Sequence, residues 1–208
     1  MAFYESISEG YGFPMSIIWI WSTGLAFAIH HSVFSTQYCK AIFNRIGLTN
    51  RTYRLIYTIV AIALAALWLG FVHQLPDTPL YHLHGWVNGL LMVIRLMGLG
   101  IVVLSLRAID TSAFLGLSVH AGGQDAFTER GIYRHVRHPM YVGVMLALLA
   151  SPVQTVNSLN LFAVIAVYFI VGSKLEEKRM LAMHPEYADY KHRVPAFIPR
   201  PMSLSSNE

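Results

Sequence analysis

Residues 15–34, 55–75 and 86–106 are apolar stretches that carry one charge between them, Arg95. The hydrocarbon of a bilayer is about 30 Å thick and is crossed by roughly 20 helical residues at 1.5 Å each, so each stretch has the length of a transmembrane helix. A fourth apolar run, 139–171, is too long for one ordinary span and is interrupted by Ser151, Pro152, Gln154, Thr155, Asn157 and Ser158. It reads as a helical hairpin, 139–150 and 158–172, with a polar turn at the far interface. Each arm is short, so tilt or local thinning of the bilayer is required. The expected fold is an all-α polytopic bundle of about five transmembrane helices, the last two forming a hairpin, in a single integral-membrane domain over 1–208.

Composition excludes the alternatives. Only 12% of the residues are charged, against about 25% in soluble domains, so the chain cannot clothe itself in polar surface. At 55% hydrophobic, it is equally far from a disordered chain. The single cysteine, Cys39, leaves no intramolecular disulfide and no cysteine-based zinc site. No metal is expected, because His82 and His84 have only Asp77 as a nearby carboxylate.

Positive charge orients the bundle. Lys40, Arg45, Arg51 and Arg54 lie between the first two spans, and Arg107, Arg130, Arg134 and Arg137 between the third and fourth. Lys174, Lys178, Arg179, Lys191, Arg193 and Arg200 follow the fifth. That places 14 of the 15 Lys and Arg on one side. Cytoplasmic loops carry such an excess, so the N-terminus is expected outside and the C-terminus in the cytoplasm, in the inner membrane. The net charge of +4 then calls for no nucleic-acid partner; it is a basic inner rim that attracts anionic lipid. The first 14 residues hold Glu5 and Glu9 and no basic residue, which does not read as a signal-peptide n-region.

Polar chemistry concentrates in the loops on that basic side. Around 129–143, Pro139 suits the first position of a helix, where its missing N–H is no loss, and places His138 at the N-cap. The first turn then presents free N–H groups and a positive dipole end, a site for a carboxylate or phosphate, with Arg134 and Arg137 adding charge. Gly143, Ala147 and Ser151 recur every fourth residue, a small-residue stripe that admits a neighbouring helix or a flat ligand. The doublet Glu176-Glu177 follows the fifth span, and a hairpin returns it to the vicinity of 134–141, where it suits an amine or ribose hydroxyls. Arg95, with Gly98 and Gly100, marks the third span, since an ionisable residue there needs a partner or a wet cavity. His30 and His31 end the first span near the basic rim.

These residues form a pattern that resembles a known family. Arg137-His138-Pro139-Met140-Tyr141-Val142-Gly143, preceded by Gly131-Ile132-Tyr133, is similar to the R-H-P-x-Y-x-G signature of integral-membrane S-adenosylmethionine methyltransferases. That group includes isoprenylcysteine carboxyl methyltransferase and the phospholipid methyltransferases. Glu176-Glu177, Pro185-Glu186-Tyr187, Tyr190 and Val194-Pro195, with Phe197-Ile198-Pro199, resemble its C-terminal tail. His31-Ser32, Lys40, Tyr53-Arg54-Leu55-Ile56-Tyr57 and Asp110-Thr111-Ser112-Ala113-Phe114-Leu115-Gly116-Leu117 are similar to the branch containing methanethiol S-methyltransferase and NnrU.

The resemblance implies a cofactor pocket at the cytosolic face, beneath the C-terminal tail and open sideways to lipid. It implies S-adenosylmethionine as cofactor, held by Arg134, Arg137, His138, Pro139, Tyr141, Gly143, Glu176, Glu177, Gly98 and Gly100. The acceptor is then a small thiol or lipidic nucleophile, with methanethiol the best single choice, and the other partner is membrane lipid. An NADPH-dependent reductase on a related scaffold and a non-catalytic subunit of a membrane complex are the alternatives.

Overall fold

The computed structural model describes residues 2–118 and 127–200, and within the first helix the side chains from Met15 onward. Glu5 and Glu9, residues 119–126 of the 108–138 loop and the 201–208 end of the tail lie outside the described side chains or residues. The helices are α1 (Ala2–Phe34), α2 (Gln37–Arg45), α3 (Asn50–Gln74), α4 (Gly85–Ala108), α5 (Thr111–Phe114), α6 (Pro139–Leu149), α7 (Val156–Met183) and α8 (Tyr187–Arg193). Two short strands, β1 (Pro79–His82) and β2 (Val153–Thr155), and a 3-10 turn at Gly131–Arg134 complete the described elements.

Four helical segments are long and apolar enough to cross a membrane: Met15–Phe34, Asn50–Gln74, Gly85–Ala108 and Val156–Met183. The chain is an all-α, multi-pass bundle. Leu25, Leu67, Leu96 and Met97 are each more than half exposed, which a soluble protein would not tolerate along whole helix faces but which lipid requires. Thr49 caps α3 by accepting from the Thr52 N–H, and Thr36 does the same for α2 from Cys39.

Small residues set the two closest helix seams. A Cβ on Gly98 of α4 would stand 2.7 Å from the Gly143 carbonyl oxygen, and one on Gly143 of α6 would stand 2.6 Å from that of Gly98. Backbone therefore touches backbone where α4 crosses α6, with Ala147 buried beside it. Where α1 meets α7, Gly24 fits beneath Val164 and Trp68, next to a buried core of Ile20, Val72 and Val164.

The hairpin departs from expectation at both ends. Helix α7 does not stop at 172 but continues unbroken to Met183, so Glu176 and Glu177 lie within the helix and not in a tail beginning at 174. Lys, Leu, Glu, Arg, Met and Ala fill residues 174–183, all good helix formers, and Pro185 is the first breaker. The expected arm ends at Gly172, but the helix does not. The turn between α6 and α7 is also more ordered than a polar loop. Strand β2 pairs antiparallel with β1, Tyr81 opposite Gln154 and His82 opposite Val153, tying the α3–α4 connection to the α6–α7 connection. We call this the strand end of the bundle, and the opposite end, where α8 and the tail pack, the tail end.

Helix α6 has 11 residues, about 16 Å at 1.5 Å per residue. Residues 150–152 turn the chain and strand β2 then leads into α7. Helix α6 is therefore only about half as long as the stretch of α7 from Val156 to Glu177, about 32 Å.

Candidate functional site

At the tail end the loop before α6 is pinned beneath the C-terminal segment. The Arg137 N–H donates to the Pro195 carbonyl (2.9 Å) and the His138 N–H to that of Ala196 (3.0 Å). Tyr187, Tyr190 and Val194 form a buried cluster against Phe127, Met180 and Leu181, and the Tyr190 hydroxyl donates to the Tyr133 carbonyl (2.8 Å). Burial pushes the phenols of Tyr133 and Tyr187 up to about 12 and raises that of Tyr190 as well, so all three stay neutral hydrogen-bond donors.

Glu177 is the electrostatic centre. Its Oε1 accepts from Arg137 Nε (2.8 Å) and Nη2 (2.7 Å) and from His138 Nε2 (3.0 Å), and its Oε2 pairs with Lys191 Nζ (3.0 Å). Carboxylate and guanidinium are both buried, at 8% and 9% side-chain exposure, so each depends on the other for the hydration it has lost. Arg137 spends its remaining nitrogen, Nη1, on the carbonyls of Lys191 (2.9 Å) and Val194. Because a carboxylate only accepts, His138 holds its proton on Nε2, which leaves Nδ1 facing Glu176 Oε2 at 3.9 Å.

Glu176 behaves differently. Its side chain is 38% exposed, and its protein contacts leave much of the carboxylate open. The Tyr141 hydroxyl donates to its Oε2 (3.1 Å). Tyr141 stacks on Phe169 of α7 (centroids 4.3 Å, planes 11° apart) and parallel to His138 (5.4 Å, 4°), and Phe197 of the tail closes on His138 (5.5 Å). The result is a column of rings, Phe197–His138–Tyr141–Phe169, with a half-exposed carboxylate at its edge. Phe169 and Glu176 share a face of α7 because seven residues make nearly two turns. Such a site suits a flat heteroaromatic group that also carries a cation or hydroxyls.

A family model described as NnrU protein matches residues 20–200. The chain belongs to the NnrU family. Relatives include a methanethiol S-methyltransferase of a Pseudomonas species, 30% identical over 187 residues, covering 84% of this chain and 70% of that protein. A methanethiol S-methyltransferase of Crocosphaera subtropica is 30% identical over 186 residues, covering 83% of this chain and 71% of the relative. The cobalt-zinc-cadmium resistance protein CzcN of Cupriavidus metallidurans is 28% identical over 127 residues, 59% of this chain and 55% of its own. No solved structure matches.

In this NnrU-family chain, the expected site residues divide into three groups. His138, Tyr141, Glu176 and Glu177 come together, with Pro139 opening α6 and His138 at its cap position. Arg137 joins them from outside the helix, so it shares no helical face with Tyr141; its guanidinium is committed to Glu177 and the tail carbonyls. Gly143 and Gly98 face each other, and the room expected for a flat ligand is taken by the α4–α6 crossing. Gly100 is exposed with nothing within 4 Å of a built Cβ, and Arg134 is exposed on the 3-10 turn. Arg95 is half-buried in α4, three residues before Gly98.

One polar group escaped the sequence reading. The Tyr168 hydroxyl lies 2.6 Å from His31 Nδ1, joining α7 to α1 one residue away from Phe169. Periodicity gives no sign of it, since a tyrosine inside an apolar run reads as packing. The signal was the histidine pair closing the first span.

Proposed function

We propose that the chain is an integral-membrane methyltransferase that transfers a methyl group from S-adenosylmethionine to a small thiol of the methanethiol type. The observation that carries this reading is the ring column beside half-exposed Glu176. Relatives named methanethiol S-methyltransferase, matched over more than four-fifths of this chain, support both the reaction class and the acceptor.

S-adenosylmethionine supplies an electrophilic methyl group on a sulfonium. The residues fit it at the edge of the ring column, not between its rings. Glu176 would accept hydrogen bonds from the amine or the ribose hydroxyls. His138 and Tyr141, whose faces are taken by each other and by Phe197 and Phe169, would border the adenine with their edges. The amide end of α6, which no side chain caps, favours the carboxylate. The protein's contribution is alignment, because displacement at carbon gains most from holding donor and acceptor in line.

The short apolar helix α6, with the turn and strand β2 that follow it, counts as a fifth crossing beside the four long helices. The positive charges of the loops and tail support a cytoplasmic tail end and an external strand end in the inner membrane. The donor then enters from the cytosol while an apolar thiol arrives through lipid. Isothermal calorimetry on the full chain in detergent tests the reading. S-adenosylmethionine is expected to bind, and Glu176→Gln to weaken it by roughly tenfold, the loss of one charge-assisted hydrogen bond; absence of binding at millimolar donor overturns it.

A further inference from the structure

The described seam between α1, α3 and α7 contains a titratable pair that the donor site does not use. His31 Nδ1 and the Tyr168 hydroxyl are 2.6 Å apart. The imidazole is walled by aromatic rings: Phe27 at 5.9 Å, Tyr57 at 5.2 Å and Tyr168 at 5.9 Å. The Tyr57 hydroxyl donates to the His31 carbonyl (3.2 Å), which fixes the turn of α1 that bears the ring.

Packing alone does not require this chemistry. The same two helices are also joined by Trp21 Nε1 donating to Asn160 Oδ1 (2.9 Å), a bond between groups that do not titrate. The position of Tyr168 is the second observation. It adjoins Phe169, whose ring stacks on Tyr141, and it lies within electrostatic reach of Glu176. The Tyr168 ring contacts that of Phe169 (centroids 6.0 Å), so the pair borders the ring column. The charged and titratable groups facing it are His30 on its own helix, Tyr57 from α3, Arg179 and Glu176 from α7, and Tyr141 from α6.

A neutral thiol is a weak nucleophile, since the thiolate is the reactive form and cysteine's ordinary pKa is about 8.5. Alkanethiols lie higher still, so an acceptor that comes through lipid arrives protonated. We propose that Tyr168 and His31 form the acceptor subsite and relay the thiol proton, a role that rests on the methyl-transfer reading above. The thiol S–H bond breaks as its proton passes to the Tyr168 oxygen, and the Tyr168 proton passes to His31 Nδ1. The sulfur lone pair forms the new bond to the donor methyl, and the sulfonium C–S bond breaks with its electron pair left on the departing thioether. An imidazole, ordinarily near 6.5, matches a thiol better than a carboxylate near 4.3, which favours His31 over Glu176 for this step.

The test compares acceptors that differ in acidity. Methyl transfer by the full chain is measured with an alkanethiol and with an aromatic thiol already ionised at neutral pH, and donor binding is followed by calorimetry. Tyr168→Phe is expected to lower the alkanethiol rate by roughly 100-fold or more, while the aromatic thiol keeps nearly its full rate and donor affinity is unchanged. His31→Gln, which still offers Tyr168 a hydrogen-bond partner but holds no proton, gives the same pattern and stands in if Tyr168→Phe does not fold. Equal losses with both thiols, or no loss with either, overturn the relay. Wild-type protein that binds the donor but methylates no thiol overturns the acceptor subsite and leaves the donor site standing; absence of donor binding overturns the functional reading itself.

Discussion

At the strand end, the connection between α3 and α4 grips the start of α7 almost entirely with backbone and short neutral side chains. Ser16 Oγ and Asn157 Nδ2 donate to the Pro76 carbonyl (2.8 and 3.0 Å), and Leu83 N–H and Val156 N–H reach carbonyls of the facing strand segments. Among the described residues the carboxylate there is Asp77, which accepts the N–H groups of Thr78 (2.8 Å) and Asn157 (3.0 Å). At the tail end the same α7 is held by a buried ion pair whose carboxylate also takes bonds from Lys191 and His138. Neutral bonds are enough to close a bundle end. The tail end instead carries charge in a place where charge is costly, and that cost makes sense if Glu177 and Arg137 fix the geometry of rings and carboxylate beside them.

The comparison breaks first at Arg137. Arg137→Ala leaves Glu177 buried with His138 and Lys191 alone and releases the tail carbonyls, so a loss of about 3–5 kcal/mol is expected. Thermal unfolding in detergent would show it as a large drop in midpoint, accompanied by loss of donor binding. An unchanged midpoint would mean that the tail end is held by its aromatic cluster and that the ion pair is incidental. The seam between α4 and α6 follows. Gly143→Val must force apart backbones that already leave a Cβ only 2.6 Å from a carbonyl oxygen. Overpacking of this kind costs about 1–3 kcal/mol or more, whereas Gly100→Val on the open face of α4 should be nearly silent in the same assay.

Glu176→Gln sharpens the contrast within the doublet. It removes a half-exposed charge that supports no ion pair with Arg137, so the unfolding midpoint should move little while donor affinity falls. Glu177→Gln should do the reverse in order: fold loss first, with binding lost as a consequence. If both variants weaken binding equally without unfolding, the two glutamates share one role.

The approach of the doublet to residues 134–141 is legible in the sequence, because an apolar run of hairpin length must bring its two ends together. Which glutamate turns inward is not legible. Adjacent helical residues point about 100° apart, and the angle depends on where α7 ends, which the apolar run set too early. Gly143 is ambiguous for a related reason: the same small-residue stripe admits a helix or a ligand, and only the position of Gly98 decides. The strands escape notice because Pro79–His82 and Val153–Thr155 are too short to show alternation. Of the His31–Tyr168 pair only the histidine shows in the sequence, because its partner is 137 residues away and fits its own helix as an ordinary aromatic.

The smallest effect is expected at the strand end, and it is the more informative for being small. Asp77 bonds the N–H of Asn157 in the first turn of α7, where a negative charge also meets the positive end of the helix dipole. Asp77→Ala removes a cap-like contact and should cost about 0.5–2 kcal/mol, read as a modest fall in the unfolding midpoint. Donor affinity and the rates with both thiols should stay at wild-type values, because α7 carries Phe169, Glu176 and Glu177 on turns held independently by α6 and the tail. If Asp77→Ala instead weakens donor binding, α7 transmits the state of one end to the other as a rigid rod, and the division between a structural end and a working end no longer holds.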